Sequence, residues 1–212
     1  MINRRFIVIE GNIGVGKTSL VNMLCAEFNA RSILERFEDN DFLPKFYLDK
    51  DRYAFPLELS FLADRYHQLK QELSNPDLFQ QLMIADYYFM KSYIFASTTL
   101  PPDELKLYAQ LFHIISQQVP RPDLYVYLHV PVDRLQLNIQ KRGRAYEQQI
   151  PSAYLQSIQQ AYFDFFKQQT HLKILIIDLG ELDYVKNSAD YELLKEKIML
   201  QDYPEGISRL FL

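Results

Sequence analysis

The sequence predicts an α/β fold: three layers, with a central five-stranded parallel sheet and helices on both of its faces. Three observations carry this. Short runs of continuous apolar residues alternate with longer segments of helical period, the pattern of strands buried on both faces and joined by helical crossovers. A glycine-rich loop joins the first apolar run to the first helical segment. The 212 residues are 48% hydrophobic and 24% charged, enough for one sizeable core, and fit a single domain over residues 1–212 better than two.

The elements follow in order. RFIVIE, residues 5–10, reads as a buried strand. TSLVNMLCAEFNA follows, with Leu20, Val21, Leu24, Cys25 and Phe28 at helical spacing. SILER is a short second strand, and residues 51–74 are helical in period after Pro56. QQLMIADYY is the third strand, DLYVYLHV the fourth and LKILIIDLG the fifth. Long helical regions, 87–118 and 132–169, separate the last three strands, and the amphipathic ADYELLKEKIML comes after them. Ligands of such sheets bind at the carboxyl ends of the strands. Glu10, Glu35 and Asp86 all lie at or just past strand ends, so three carboxylates are expected to converge on one cleft.

Composition narrows the function classes. No run of 18 apolar residues exists, which excludes a transmembrane helix. The start, MINRRFIVIEG, lacks the apolar stretch and cleavage site of a signal peptide, so a cytoplasmic location is expected. A single cysteine, Cys25, rules out an internal disulfide and reads as core filler. The net charge of −4, with no basic stripe along any helix, argues against polymeric nucleic acid and for a small phosphorylated ligand.

Gly11-Asn12-Ile13-Gly14-Val15-Gly16-Lys17-Thr18 matches the phosphate-loop pattern G-x-x-x-x-G-K-[ST] without a mismatch. The glycines let successive backbone N–H groups point at phosphate oxygens, and the following helix adds its positive N-terminal end. Lys17 is placed to reach the β and γ phosphates and Thr18 to put its hydroxyl on magnesium. A dinucleotide fingerprint is excluded because Ser19 stands where a third glycine is needed. The loop therefore binds a nucleoside triphosphate.

What receives the phosphate is a second question. No T-K-x-D or N-K-x-D signature for guanine nucleotides is present, which lowers the GTPase reading. Residues 141–151, KRGRAYEQQIP, set Lys141, Arg142 and Arg144 just after a helical segment. Several cations on one mobile segment suit a clamp on a transferring phosphoryl group. By itself such a run is more often a solvated helix end; the phosphate loop reverses that preference.

Three blocks in this order, IVIEGNIGVGKTSL, LERFEDNDFLPKFYLDKDRYAFPLELSFLADR and KRGRAYEQQIPSAYL, resemble the deoxynucleoside kinases from about residue 5 to 160. The resemblance implies a P-loop kinase fold with a short arginine lid at about 141–150, ATP as donor with Mg2+, a deoxynucleoside acceptor and a homodimer. Glu35 matches the family's base toward the 5′-hydroxyl; on chemistry alone a carboxylate there can accept that proton and orient the oxygen, and Glu38 and Asp39 are rivals. Tyr47 and Glu147 match residues that bind the sugar 3′-hydroxyl, and Arg142 and Arg144 match lid arginines on the phosphates.

Two departures stand out. Glu58 replaces a glutamine that pairs with the base. An ionised carboxylate only accepts, which suits the N1–H and 2-amino donors of guanine and leans the reading toward it. Arg65 matches a base-side arginine; seven residues on, it shares a helix face with Glu58, and a simple ion pair between the two is the alternative reading. Asp86 is followed by Tyr87-Tyr88 where the family has an acid and then Arg-Ser; it aligns with either that acid or, one residue slipped, the arginine, and is read as a metal or 5′-end carboxylate. Lys91, one turn further, is placed either to restore the lost charge or to reach the base. Asp178 and Leu179 are placed to pack on the donor adenine. The reading that follows is an ATP-dependent 5′-kinase of deoxynucleosides in nucleotide salvage, purines slightly favoured. A nucleoside monophosphate kinase and a nucleotide-sensing subunit without transfer activity are the alternatives.

Overall fold

The computed structural model describes residues 4–36, 40–74 and 80–212. Strand β1 (Phe6–Gly11) is buried along its whole length, and its unbroken apolar run satisfies both faces of the pleat at once. It pairs in parallel with β3 (Met83–Ala85) on one side and β4 (Leu124–His129) on the other. β2 (Arg31–Ile33) lies beyond β3, and β5 (Lys173–Asp178) and β6 (Gly206–Phe211) beyond β4, all parallel. The order β2-β3-β1-β4-β5-β6 makes six strands rather than five. β6 carries no readable pattern: Ile207 and Phe211 face outward, 47% and 72% exposed, while Ser208 turns inward.

The pleat sorts the core into two layers. Ile7, Ile9, Val126 and Leu175 meet α1 (Lys17–Phe28), α6 (Val132–Arg142) and α8 (Ser188–Lys195). Phe6, Val8, Tyr125, Tyr127 and Ile174 meet α3 (Lys50–Ser74), α4 (Met90–Thr99), α5 (Pro102–Ser116) and α7 (Ser152–Lys167). Cys25 is half-buried against the first layer, as expected of core filler.

Helix boundaries depart from expectation at four places. α3 starts before Pro56, at Lys50; the Asp49 carboxylate accepts from Arg52 N at 3.3 Å, so the start is capped six residues earlier than the proline suggests. A short α2 (Leu43–Leu48), with a proline in its first turn, precedes it. The helical region 87–118 breaks at Leu100-Pro101-Pro102 into α4 and α5. The region 132–169 breaks at Gly143, whose φ of 76° ends α6 in the left-handed conformation that favours glycine. A 3-10 turn, Ala145–Glu147, and a return to α7 follow.

Candidate active site

The loop from Gly11 to Thr18 sits where the sheet order reverses, with β1 between β3 and β4. Gly14 and Gly16 hold φ of 84° and 102°. A side chain at Gly16 would also meet the Tyr184 hydroxyl at 2.3 Å, so both backbone angle and space require glycine. Asn12 ties the loop to α7 by donating to Leu155 O at 2.8 Å, and Asn138 of α6 donates to Gly14 O at 2.9 Å. Lys17 Nζ donates to Gly11 O at 2.9 Å and Asn12 O at 3.0 Å. Burial, and after it the charge of Lys91, lower its pKa to about 8. A cleft of about 790 Å³ runs from this loop, including Val15, to Arg36, Lys141, Arg142 and Arg144.

Asp86 and Glu35 meet at the mouth of this cleft. Thr18 Oγ1 donates to Asp86 Oδ2 at 2.5 Å, and the other oxygen of Asp86 accepts from Glu35 N at 2.8 Å. Burial raises the pKa of Asp86, an effect the Thr18 hydroxyl opposes. The carboxylate of Glu35 takes two cations. Its Oε1 accepts from Arg65 Nε at 2.8 Å and lies 2.6 Å from Arg65 Nη2, and its Oε2 accepts from Lys91 Nζ at 2.5 Å. Burial alone would raise this carboxyl; Lys91 and then Arg65 override it and hold the pKa at about 2. Lys91 thus places a cation beside Glu35 at the end of β3. Tyr87 itself is buried, its hydroxyl donating to Gln68 Oε1 at 2.8 Å.

A second cavity, about 110 Å³, opens beside Glu35 and is lined by Ile13, Tyr47, Glu58, Arg65, Phe95 and Glu147 among others. Glu58 and Arg65 share a helix face as their spacing requires, but they form no ion pair. Arg65 directs Nε and Nη2 to Glu35 and Nη1 to Ser92 Oγ at 2.9 Å. Glu58 Oε1 accepts from Thr99 Oγ1 at 2.9 Å, whereas its Oε2 is buried without a hydrogen-bond partner. Burial lifts this carboxyl to about 7, against the pull of Arg65. Tyr47, which lines the cavity, stacks on Tyr146 with ring centroids 5.9 Å apart. On the other side Glu147, buried, pairs with Arg142 and lies 3.5 Å from Arg144 Nη1.

Three expectations change. Glu10 does not join the cleft; the pleat turns it into the helical layer, where Tyr88 N and the Tyr162 hydroxyl donate to it at 2.9 and 3.0 Å. Leu179 is core, and Asp178 lies 3.5 Å from Arg209 Nη2, so neither lines the donor side. That side is lined by residues 182–186, held by Arg134, whose guanidinium donates to Gly180 O and Leu182 O. The sequence signal for Arg134 is absent, since a helix-surface arginine looks like any other. The rivals Glu38 and Asp39 lie outside the described residues.

A magnesium ion fits this donor set. Among the described residues no group of three or more His, Cys, Asp or Glu could hold a metal. Magnesium in phosphoryl-transfer sites needs only one or two carboxylates beside phosphates and water, and Thr18 with Asp86 supplies that minimum.

The chain is 37% identical over 191 residues to a deoxyguanosine kinase of Bacillus subtilis, covering 88% of this chain and 92% of the relative. It is 30% identical over 200 residues to a deoxyadenosine kinase of Lactobacillus acidophilus, covering 90% and 93%. The fold superposes on a deoxyadenosine kinase from M. mycoides with bound dATP at a TM-score of 0.79 and 23% identity, covering 91% and 98%. Residues 7–201 match the family model of the deoxynucleoside kinases, and the chain belongs to that family.

Proposed function

We propose that this protein transfers the γ-phosphoryl group of ATP to the 5′-hydroxyl of a purine deoxynucleoside, guanine first. The observation that carries this is Glu35, set between Arg65 and Lys91 where the phosphate cleft meets the second cavity. Lys17 and the loop amides bind the triphosphate, and Arg142 and Arg144 gather charge from the lid side. Thr18 and Asp86 would hold a magnesium ion, which would neutralise charge on the phosphate oxygens. A carboxylate with a pKa of about 2 is a weak base. Its work is therefore to align the 5′-oxygen in line and accept the proton late, as the bond to phosphorus forms. Tyr47 and Glu147 bind the sugar 3′-hydroxyl, and Glu58 with Arg65 faces the base.

Glu35→Gln is expected to lower turnover by about 100-fold or more while leaving ATP binding largely intact, as read by ADP release and by nucleotide titration. Unchanged turnover would remove Glu35 from the mechanism. A monophosphate acceptor is disfavoured by Glu58, a buried carboxylate where an anion would need cations. Nucleoside-dependent ADP release would dismiss a purely sensing role. A homodimer and a cytoplasmic location belong to the same reading; Leu107 and Ile114 on α5 are 50% and 63% exposed, and sedimentation tests the dimer.

A further inference from the structure

Glu58 is 2% exposed and lines the second cavity with one oxygen satisfied by Thr99 and the other, Oε2, without a partner. A buried carboxylate oxygen left unpaired is costly unless a ligand completes it. The obvious internal partner is occupied: the Arg65 guanidinium directs its hydrogen bonds to Glu35 and Ser92 and lies over the Phe61 ring. Glu58 lines the cavity, so a group bound there is the candidate to complete Oε2, and the chemistry it needs depends on the proton count of Glu58.

We propose that protonation of Glu58 selects the base: the ionised carboxylate takes guanine, and the protonated carboxyl takes adenine or cytosine. The proposal rests on the deoxynucleoside kinase reading of this cavity. Guanine presents N1–H and the 2-amino group, two donors side by side, and an ionised carboxylate accepts from both. Adenine presents N1 as an acceptor beside its 6-amino donor, and cytosine N3 beside its 4-amino donor. Against these an ionised Oε2 would face a lone pair, whereas a protonated Oε2 donates to the ring nitrogen and Oε1 accepts the amine. A glutamine at this place offers one fixed donor–acceptor pair at every pH; the carboxyl changes its pattern with one proton.

The surroundings allow that proton to move within the physiological range. The charged groups facing Glu58 are Arg65 from α3 itself, Lys91 from α4 and Glu35 past β2. The last is held between the first two. Tyr47 from α2, Tyr108 from α5 and Tyr154 from α7 also face it; all three are pushed up by burial and remain neutral, and Glu147 lies behind Tyr47. Burial of the carboxyl is the largest influence, and it places the midpoint at about 7. Guanine binding therefore expels the proton and adenine binding recruits one.

The test measures kcat/KM for deoxyguanosine and deoxyadenosine, with ATP and magnesium, from pH 5.5 to 9. The ratio of guanine to adenine is expected to rise about tenfold per pH unit, because each substrate uses one ionisation state of the free enzyme. Glu58→Gln is expected to flatten it. A ratio constant within twofold across the range, or a slope that persists in Glu58→Gln, would overturn the proposal. Calorimetric titration of each nucleoside in buffers of different ionisation enthalpy reads the same event without turnover. Proton release with deoxyguanosine at pH 6 and uptake with deoxyadenosine at pH 8 are expected, and neither would be seen if Glu58 kept one state. Failure of every deoxynucleoside to be phosphorylated while these proton counts appear would sink the kinase reading and leave the selection intact.

Discussion

At Glu35 the charges are arranged so that removing one cation shows what each does. Lys91 holds Oε2 and Arg65 holds Oε1, both nearly buried. Taking one partner from a buried ion pair leaves a desolvated charge, which costs about 3–5 kcal/mol, less here because Arg65 remains. Lys91→Met is therefore expected to lower the melting temperature by several degrees and kcat by at least tenfold, with little change in KM for ATP. An equal kcat in the variant would show that Lys91 is structural. Glu58 makes the opposite prediction. Its folded pKa of about 7 lies above the ordinary 4.5, so the folded chain binds more protons between those values. Stability is then highest below about 4.5, falls as pH rises through the window, and stays reduced above 7. Glu58→Gln cannot ionise and is expected to be more stable than the parent at pH 8, by about 2–3 kcal/mol, and equal to it near pH 4.5. Denaturant melts at the two values check the sign. Neither residue's partner could be read from its neighbours in sequence: Glu35 and Lys91 are 56 positions apart, and Glu58 and Thr99 are 41 apart.

At the scale of elements, the phosphate loop was legible because its requirement is local. Strand, glycine turn and helix start are set by consecutive residues, and the positive φ at Gly14 and Gly16 is what the spelling demands. What the spelling does not contain is Tyr184, which reaches the loop from the far end of the chain, its hydroxyl 3.4 Å from Val15 O. Gly16→Ala is expected to weaken ATP binding by more than tenfold. Adding Tyr184→Phe is expected to restore part of it, since the 2.3 Å clash with the hydroxyl goes while the φ of 102° stays strained. Full restoration would assign the whole effect to the clash. Helix ends were less legible. Pro56 looked like a start because proline favours first turns, yet Asp49 caps α3 upstream and the helix runs through the proline. The Pro101-Pro102 break was legible in principle; the apolar stripe on either side concealed it.

Across the whole molecule the parallel sheet converts sequence order into a site. β1 lies between β3 and β4, so loops from β1, β2 and β3 open on one edge, and Thr18, Glu35 and Asp86 meet there. The sixth strand closes the other side: Arg209 reaches Asp178 at 3.5 Å, and β6 covers the edge of β5. Deleting residues 206–212 would leave β5 as an unpaired edge, mostly apolar and buried in the intact fold. Lower melting temperature and increased light scattering are expected, and an unchanged melt would make β6 dispensable. The sequence by itself determined five of the six strands, the helices that flank them and the phosphate loop, because apolar period and glycine chemistry act over neighbouring residues; the family came from the resemblance of three sequence blocks. Only the tertiary structure decided which charges meet. The pleat turned Glu10 into the helical layer, Arg65 chose Glu35 over Glu58, and Glu58, which lines the cavity, was left with one buried unpaired oxygen. Those choices depend on where distant elements place their side chains once water is excluded, and no local pattern specifies that.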